Sequence, residues 1–165
     1  MSPALELKRL LLQRPRLTLA VAESLTAGHV QAQIAAVPGA SGYFLGGITT
    51  YSLEQKVRRL GVSRAHARQV DSVSQRVAVE MAQGAAALFG ADLAVATTGY
   101  AQPNRAIGVL VPVAWWALCH RRGRGRAEII SGCLTVPGAK RVEVQARVAT
   151  EVLSQLAAYV REWRG

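Results

Sequence analysis

The sequence predicts an α/β fold: a three-layer α/β/α domain on a mixed sheet, running as one unit over residues 1–165. Two observations carry this expectation. Apolar, strand-like runs alternate with segments of helical periodicity along most of the chain. Two further apolar runs, 107–119 and 127–136, face each other across a glycine- and arginine-rich turn and read as a hairpin. The length of 165 residues, half of them hydrophobic, suffices for a sizeable core.

Residues 4–13 read as an amphipathic helix closed by Arg14-Pro15. The run 17–22 follows as a buried strand. Apolar Leu25, Val30, Ile34 and Ala35 then mark a helix over 25–36, ending before Pro38-Gly39. Residues 46–51 form a second strand with a glycine-loosened start. Ser52 caps a short helix through Arg59, stopped at Gly61. The clearest amphipathic helix spans 74–89, with Val77, Met81, Ala82, Ala85, Ala86 and Phe89 on one face and Gly90 as its stop. A short buried strand over 91–98 leads into Gly99. After the hairpin, a last helix covers about 138–163. No repeat or linker divides the chain.

The stretch 17–28 organises the chemistry. In an open α/β sheet, ligands bind beyond the carboxyl ends of strands, and a helix start there favours anions. Ser24 sits at such a strand-to-helix passage. It also fits an ordinary N-cap, although the capping box is incomplete because Ala27 replaces Glu or Gln. Two more strand ends carry hydroxyls: Tyr51-Ser52 and Thr97-Thr98-Gly99. Lys56 lies four residues after Ser52, on the same helix face. A desolvated lysine is a base able to activate a serine. The competing readings are a solvated helix lysine for Lys56 and strand packing for Tyr51 and Thr98. His29, His66 and His120 lack any partner pattern and read as surface or satisfied histidines. No metal-ligand spacing is present.

Net charge is +10, from 20 basic and 10 acidic residues, which raises the question of a polyanionic partner. The bases are spread along the chain, and the one dense cluster, 121–126, reads as a solvated turn. Aromatics are only 5% and do not interleave with it as base stacking requires. Nucleic acid is therefore not the expected partner. Cys119 and Cys133 cannot form a CxxC site and are expected as reduced thiols. The N-terminus has no signal-peptide pattern, and the run 106–119 contains Pro112 and is too short for a membrane helix. A soluble, cytoplasmic protein without membrane attachment is expected.

Glu23-Ser24-Leu25-Thr26-Ala27-Gly28 resembles the E-S-x-T-G-G segment of the CinA C-terminal domain family, the nicotinamide mononucleotide deamidases. Phe44-x-Gly46-Gly47-Ile48-Thr49-Thr50-Tyr51-Ser52-x-x-x-Lys56, with Leu60-Gly61-Val62, is similar to the family's F-x-G-G-x-V-x-Y-S-x-x-x-K and L-G-V. Val73-Ser74 with Val77-Ala78-x-x-Met81-Ala82 matches the next block, and Thr98-Gly99-Tyr100-Ala101-Gln102-Pro103 resembles T-G-I-A-G-P.

The resemblance implies hydrolysis of the nicotinamide amide to nicotinic acid mononucleotide and ammonia, with no metal or cofactor and in a homo-oligomer. It implies Ser24 as nucleophile, Lys56 as its base and Tyr51 as an assisting group. Thr26, Gly28, Ser52, Thr98 and Gly99 would bind substrate, with backbone N–H groups near Ser24 holding phosphate or oxyanion. Lys140 falls at the position of the family's substrate arginine, with Arg141 beside it. Some members carry a further nucleotide-processing domain, and this chain resembles the stand-alone form.

Departures from the pattern are Ala27 for glycine, Asp71-Ser72 for Gly-Ala, and a loop shortened to Asn104-Arg105-Ala106 with Gln102 for glycine. The loop suggests an alternative: an inactive family member that binds a nucleotide or a partner protein. The presence of Ser24, Tyr51, Lys56 and Thr98 opposes it.

Overall fold

In a computed structural model describing residues 1–123, 125 and 127–165, the chain forms a mixed sheet between two helical layers. The strands are β1 (Leu19–Glu23), β2 (Phe44–Thr49), β3 (Leu93–Tyr100), β4 (Val113–His120) and β5 (Glu128–Thr135), in the order β2-β1-β3-β4-β5. β1 pairs in parallel with β2 and β3, whereas β3–β4 and β4–β5 are antiparallel. The helices are α1 (Pro3–Leu11), α2 (His29–Ala35), α3 (Leu53–Leu60), α4 (Arg64–Gln69), α5 (Gln75–Phe89) and α6 (Arg141–Arg164).

The two-residue period of the strands divides the core. Leu19, Val21, Leu93, Val95, Trp116 and Leu118 join Leu7, Val148, Val152 and Leu156 on one face, beneath α1, α2 and α6. Ala20, Ala22, Ala94, Ala96 and Ala117 join Leu60, Met81, Ala82 and Ala85 on the other, beneath α3, α4 and α5. The alanines on this second face let α5 lie close to the sheet. Gly84 lets α5 lie close to the end of α3, because a Cβ there would overlap the Leu60 carbonyl oxygen.

Local chemistry sets most boundaries. Ser2, Ser52, Ser63 and Ser74 accept hydrogen bonds from the first turns of α1, α3, α4 and α5. Gly61 and Gly90 close α3 and α5 in the left-handed conformation.

Several expectations are corrected. α2 begins at His29 with Gly28 as its N-cap, so residues 24–28 form a turn and Ser24 is not a cap. β2 begins and ends two residues earlier than the expected strand. α4 was not expected; its only local signal is the cap Ser63. β4 starts at Val113 because Pro112 offers no N–H, and because Asn104 and Val109 close a loop of their own, bonded in both directions at 2.8 and 3.0 Å. Trp115 packs partly buried on the α5 side of the sheet, opposite Trp116. The cysteine expectation needs no correction: Cys119 lies across from Ile129 and Cys133 across from Trp115, and both thiols are free. In the arginine turn, Arg121 donates to the Ala86 carbonyl and Arg122 pairs with Glu128, so neither is simply solvated; Arg124 and Arg126 lie outside the described residues.

Candidate active site

The carboxyl ends of β1 and β3 open into a cavity of about 780 Å³ whose wall includes Ser24, Tyr51, Lys56, Arg68, Asp71, Thr98 and Arg141. Parallel β1 delivers Ser24 to this end, and the antiparallel β3–β4 ladder fixes Thr98 beside it.

Lys56 is 1% exposed, an unusual burial for a lysine. Its Nζ lies 2.9 Å from Ser24 Oγ, 2.9 Å from the Thr50 carbonyl oxygen and 3.1 Å from the Tyr51 carbonyl oxygen. As an ammonium it donates to all three. As a neutral amine it has two N–H groups for the two carbonyls, which turns its lone pair toward the Ser24 hydroxyl. Burial drives Lys56 from the ordinary 10.5 down to about 8, with the Asp71 carboxylate opposing the shift.

Ser24 is held by the residue before it. Glu23 is fully buried, and its carboxylate accepts the N–H groups of Gly28, Val30 and Gln31 at 3.0, 3.1 and 3.0 Å. This carboxylate satisfies the opening turn of α2 and complements its dipole. Sequence reading placed an anion of the substrate at that helix start, but Glu23 already fills the position. The turn 24–28 is tight: Ala27 adopts φ 48° and Gly28 φ 99°.

A family model described as the CinA C-terminal domain matches residues 3–160. The chain belongs to the CinA C-terminal domain family. A CinA-like protein of Chlorobaculum tepidum is 51% identical over 95 residues, which are 58% of this chain and 22% of that protein. A CinA-like protein of Mycobacterium marinum is 40% identical over 138 residues, 84% of this chain and 32% of that protein. The chain thus spans a third or less of the length of these curated relatives. Among solved structures, a CinA superfamily protein of Klebsiella pneumoniae superposes with a TM-score of 0.87 at 27% identity, covering 98% of this chain and 97% of that one. A competence damage-inducible protein A of the same species gives 0.84 at 30% identity, covering 98% and 96%.

Within this CinA-type frame, the expected site residues separate into two groups. Ser24, Tyr51, Lys56, Thr98, Gly99 and Arg141 line the cavity. Arg141, and not Lys140, reaches the wall: its Nη2 donates to Tyr51 Oη at 2.6 Å, while Lys140 precedes α6 and donates its backbone N–H to Glu143 at 2.9 Å. Thr26, Gly28 and Ser52 lie off the wall. Thr26 is fully buried against the Thr97 hydroxyl at 2.7 Å, Gly28 is tied to Glu23, and Ser52 caps α3 through the Gln55 N–H at 3.3 Å. Gly99 is required by packing, because a Cβ would overlap the Val113 carbonyl oxygen. Thr98 Oγ1 donates to the Ser72 carbonyl at 2.7 Å, anchoring the turn that carries Asp71.

The histidines are satisfied locally, His29 by the Thr26 carbonyl, His66 by Ser74 and His120 by Tyr159. Among the described residues, no group of three or more His, Cys, Asp or Glu is placed to hold a metal ion. No described helix is long and apolar enough to cross a membrane. Sequence reading did not single out Glu23, Arg68, Asp71 or Tyr100 as site residues. Glu23 had a signal, an acid just ahead of a helix start; the others reach the cavity from α4 (Arg68), the α4–α5 turn (Asp71) and the end of β3 (Tyr100).

Proposed function

We propose that this chain hydrolyses the carboxamide of nicotinamide mononucleotide, releasing nicotinic acid mononucleotide and ammonia through a serine–lysine pair. The observation that carries the reading is the 2.9 Å approach of a buried Lys56 Nζ to Ser24 Oγ, with two carbonyls taking the remaining N–H groups. The choice of nucleotide rests on the family resemblance, supported by a cavity with Arg68 and Arg141 on its wall for an anionic end.

In this reaction neutral Lys56 takes the Ser24 proton as Oγ bonds to the carboxamide carbon. The tetrahedral adduct collapses with cleavage of the C–N bond. The Lys56 ammonium returns its proton to the departing nitrogen, which leaves as ammonia. Ser24 is then an ester of nicotinic acid mononucleotide. Water attacks the ester carbon, Lys56 takes the water proton, and the C–O bond to Ser24 breaks. Lys56 reprotonates Ser24, and the product departs as the acid. Tyr51 and Arg141, joined at 2.6 Å on the cavity wall, set the position of the substrate's anionic end.

Purified protein incubated with nicotinamide mononucleotide tests the reading, with Ser24→Ala as control. Ammonia and nicotinic acid mononucleotide in equal amounts, both absent with Ser24→Ala, are the expected result. Folded wild type that releases no ammonia would leave the binding-only alternative, with the loop 102–106 as its cause.

A further inference from the structure

Asp71 and Ser72 are consecutive non-glycine residues at φ 50° and 61°. L residues rarely adopt this conformation, and it persists where surrounding contacts impose it. Three such contacts are present. The Ser72 N–H donates to the Ala67 carbonyl at 2.7 Å, Thr98 Oγ1 donates to the Ser72 carbonyl at 2.7 Å, and Tyr100 Oη donates to Asp71 Oδ2 at 2.8 Å. Together they hold one carboxylate on the wall of the cavity that contains Ser24 and Lys56.

The other charged groups on that wall are the cations Lys56, Arg68 and Arg141. A cavity shaped only for an anion gains nothing from a carboxylate. An ionised carboxylate accepts hydrogen bonds and donates none, and Tyr100 engages only Oδ2, so acceptor capacity remains for a ligand. The group it meets must therefore bring donors, which a phosphate or a carboxylate lacks. A sugar diol brings two, in a spacing that one carboxylate can bridge.

We propose that Asp71 is a specificity residue that accepts hydrogen bonds from the vicinal diol of the substrate's sugar, with the anionic end directed to Arg141. The proposal rests on the nucleotide amidase reading and adds to it the part of the substrate that this chain selects.

Binding of nicotinamide mononucleotide and its 2′,3′-dideoxy analogue is measured by calorimetry in a Ser24→Ala background, with Asp71 intact and as Asp71→Asn. The expected result is a roughly 10- to 100-fold loss for nicotinamide mononucleotide on Asp71→Asn, the scale of one charged hydrogen bond. The dideoxy analogue should bind weakly to both proteins and lose almost nothing further. In the turnover-competent background, Asp71→Asn should raise KM far more than it lowers kcat, with Tm unchanged. An equal loss for both ligands, or no loss for either, would overturn the role of Asp71 while leaving the amidase reading standing if ammonia is still released. Absence of both nicotinamide mononucleotide binding and ammonia release would overturn the amidase reading, and the diol assignment with it.

Discussion

Lys56 Nζ stands 2.9 Å from Ser24 Oγ, across the gap between the first turn after β1 and the middle of α3. Thirty-two positions of sequence separate the two residues, and the parallel pairing of β1 with β2 closes that distance. The pair is useful only when Lys56 is neutral, and its burial lowers the cost of that state.

Replacing Lys56 by Met removes the base while keeping an apolar stem of similar length. We expect kcat to fall by roughly 10²- to 10⁴-fold, the range for loss of a positioned base, with Ser24 still present and the fold retained. Ammonia release within a few-fold of wild type would remove Lys56 from that role.

The same buried amine ties stability to pH. Its folded value, about 8, lies below the ordinary 10.5. Between those values the unfolded chain holds a proton that the folded chain has shed, so stability rises with pH across this window. Below about 8 both states are protonated and the penalty for burying the charge is fully present. Chemical denaturation at pH 7.5 and 10, compared between wild type and Lys56→Met, isolates the effect. A wild-type increase matched by the variant would contradict it.

Glu23 holds three backbone N–H groups of the turn that presents Ser24. Glu23→Ala leaves them without an acceptor in a buried setting and should cost about 3 kcal/mol or more. Glu23→Gln keeps one carbonyl acceptor and should cost less. Because the turn also aims Ser24, both variants should lose activity at temperatures where they remain folded. Unchanged melting temperature and rate in Glu23→Ala would show that the carboxylate contributes little.

Much of this arrangement was legible in the sequence. Ser24 and Lys56 were readable because a hydroxyl at a strand end and a lysine one turn into the next helix are local patterns. The division of the sheet into an aliphatic and an alanine-rich face also follows from alternation. The destination of the α2 start was not legible. Whether a substrate anion or Glu23 fills it depends on five residues of turn geometry, including Ala27 in a conformation alanine seldom adopts. Arg141 against Lys140 was likewise undecidable by position, since the first turn of α6 sends adjacent side chains in different directions. The turn that carries Asp71 to the cavity depends in part on Thr98 and Tyr100, more than two dozen residues away.

Arg141 and Lys140 can now be separated by kinetics. Arg141→Ala should raise KM for nicotinamide mononucleotide by roughly 10- to 100-fold through loss of a charge-assisted contact, with kcat changed less. Lys140→Ala should stay within two-fold of wild type. Equal effects from the two variants would place both cations at the substrate.

The pH dependence of kcat/KM for ammonia release from nicotinamide mononucleotide tests the central claim most directly, because it titrates free enzyme. If neutral Lys56 activates Ser24, the profile climbs through about pH 8 and levels above it, following the lowered lysine. A profile flat from pH 6 to 9 would contradict the serine–lysine pair.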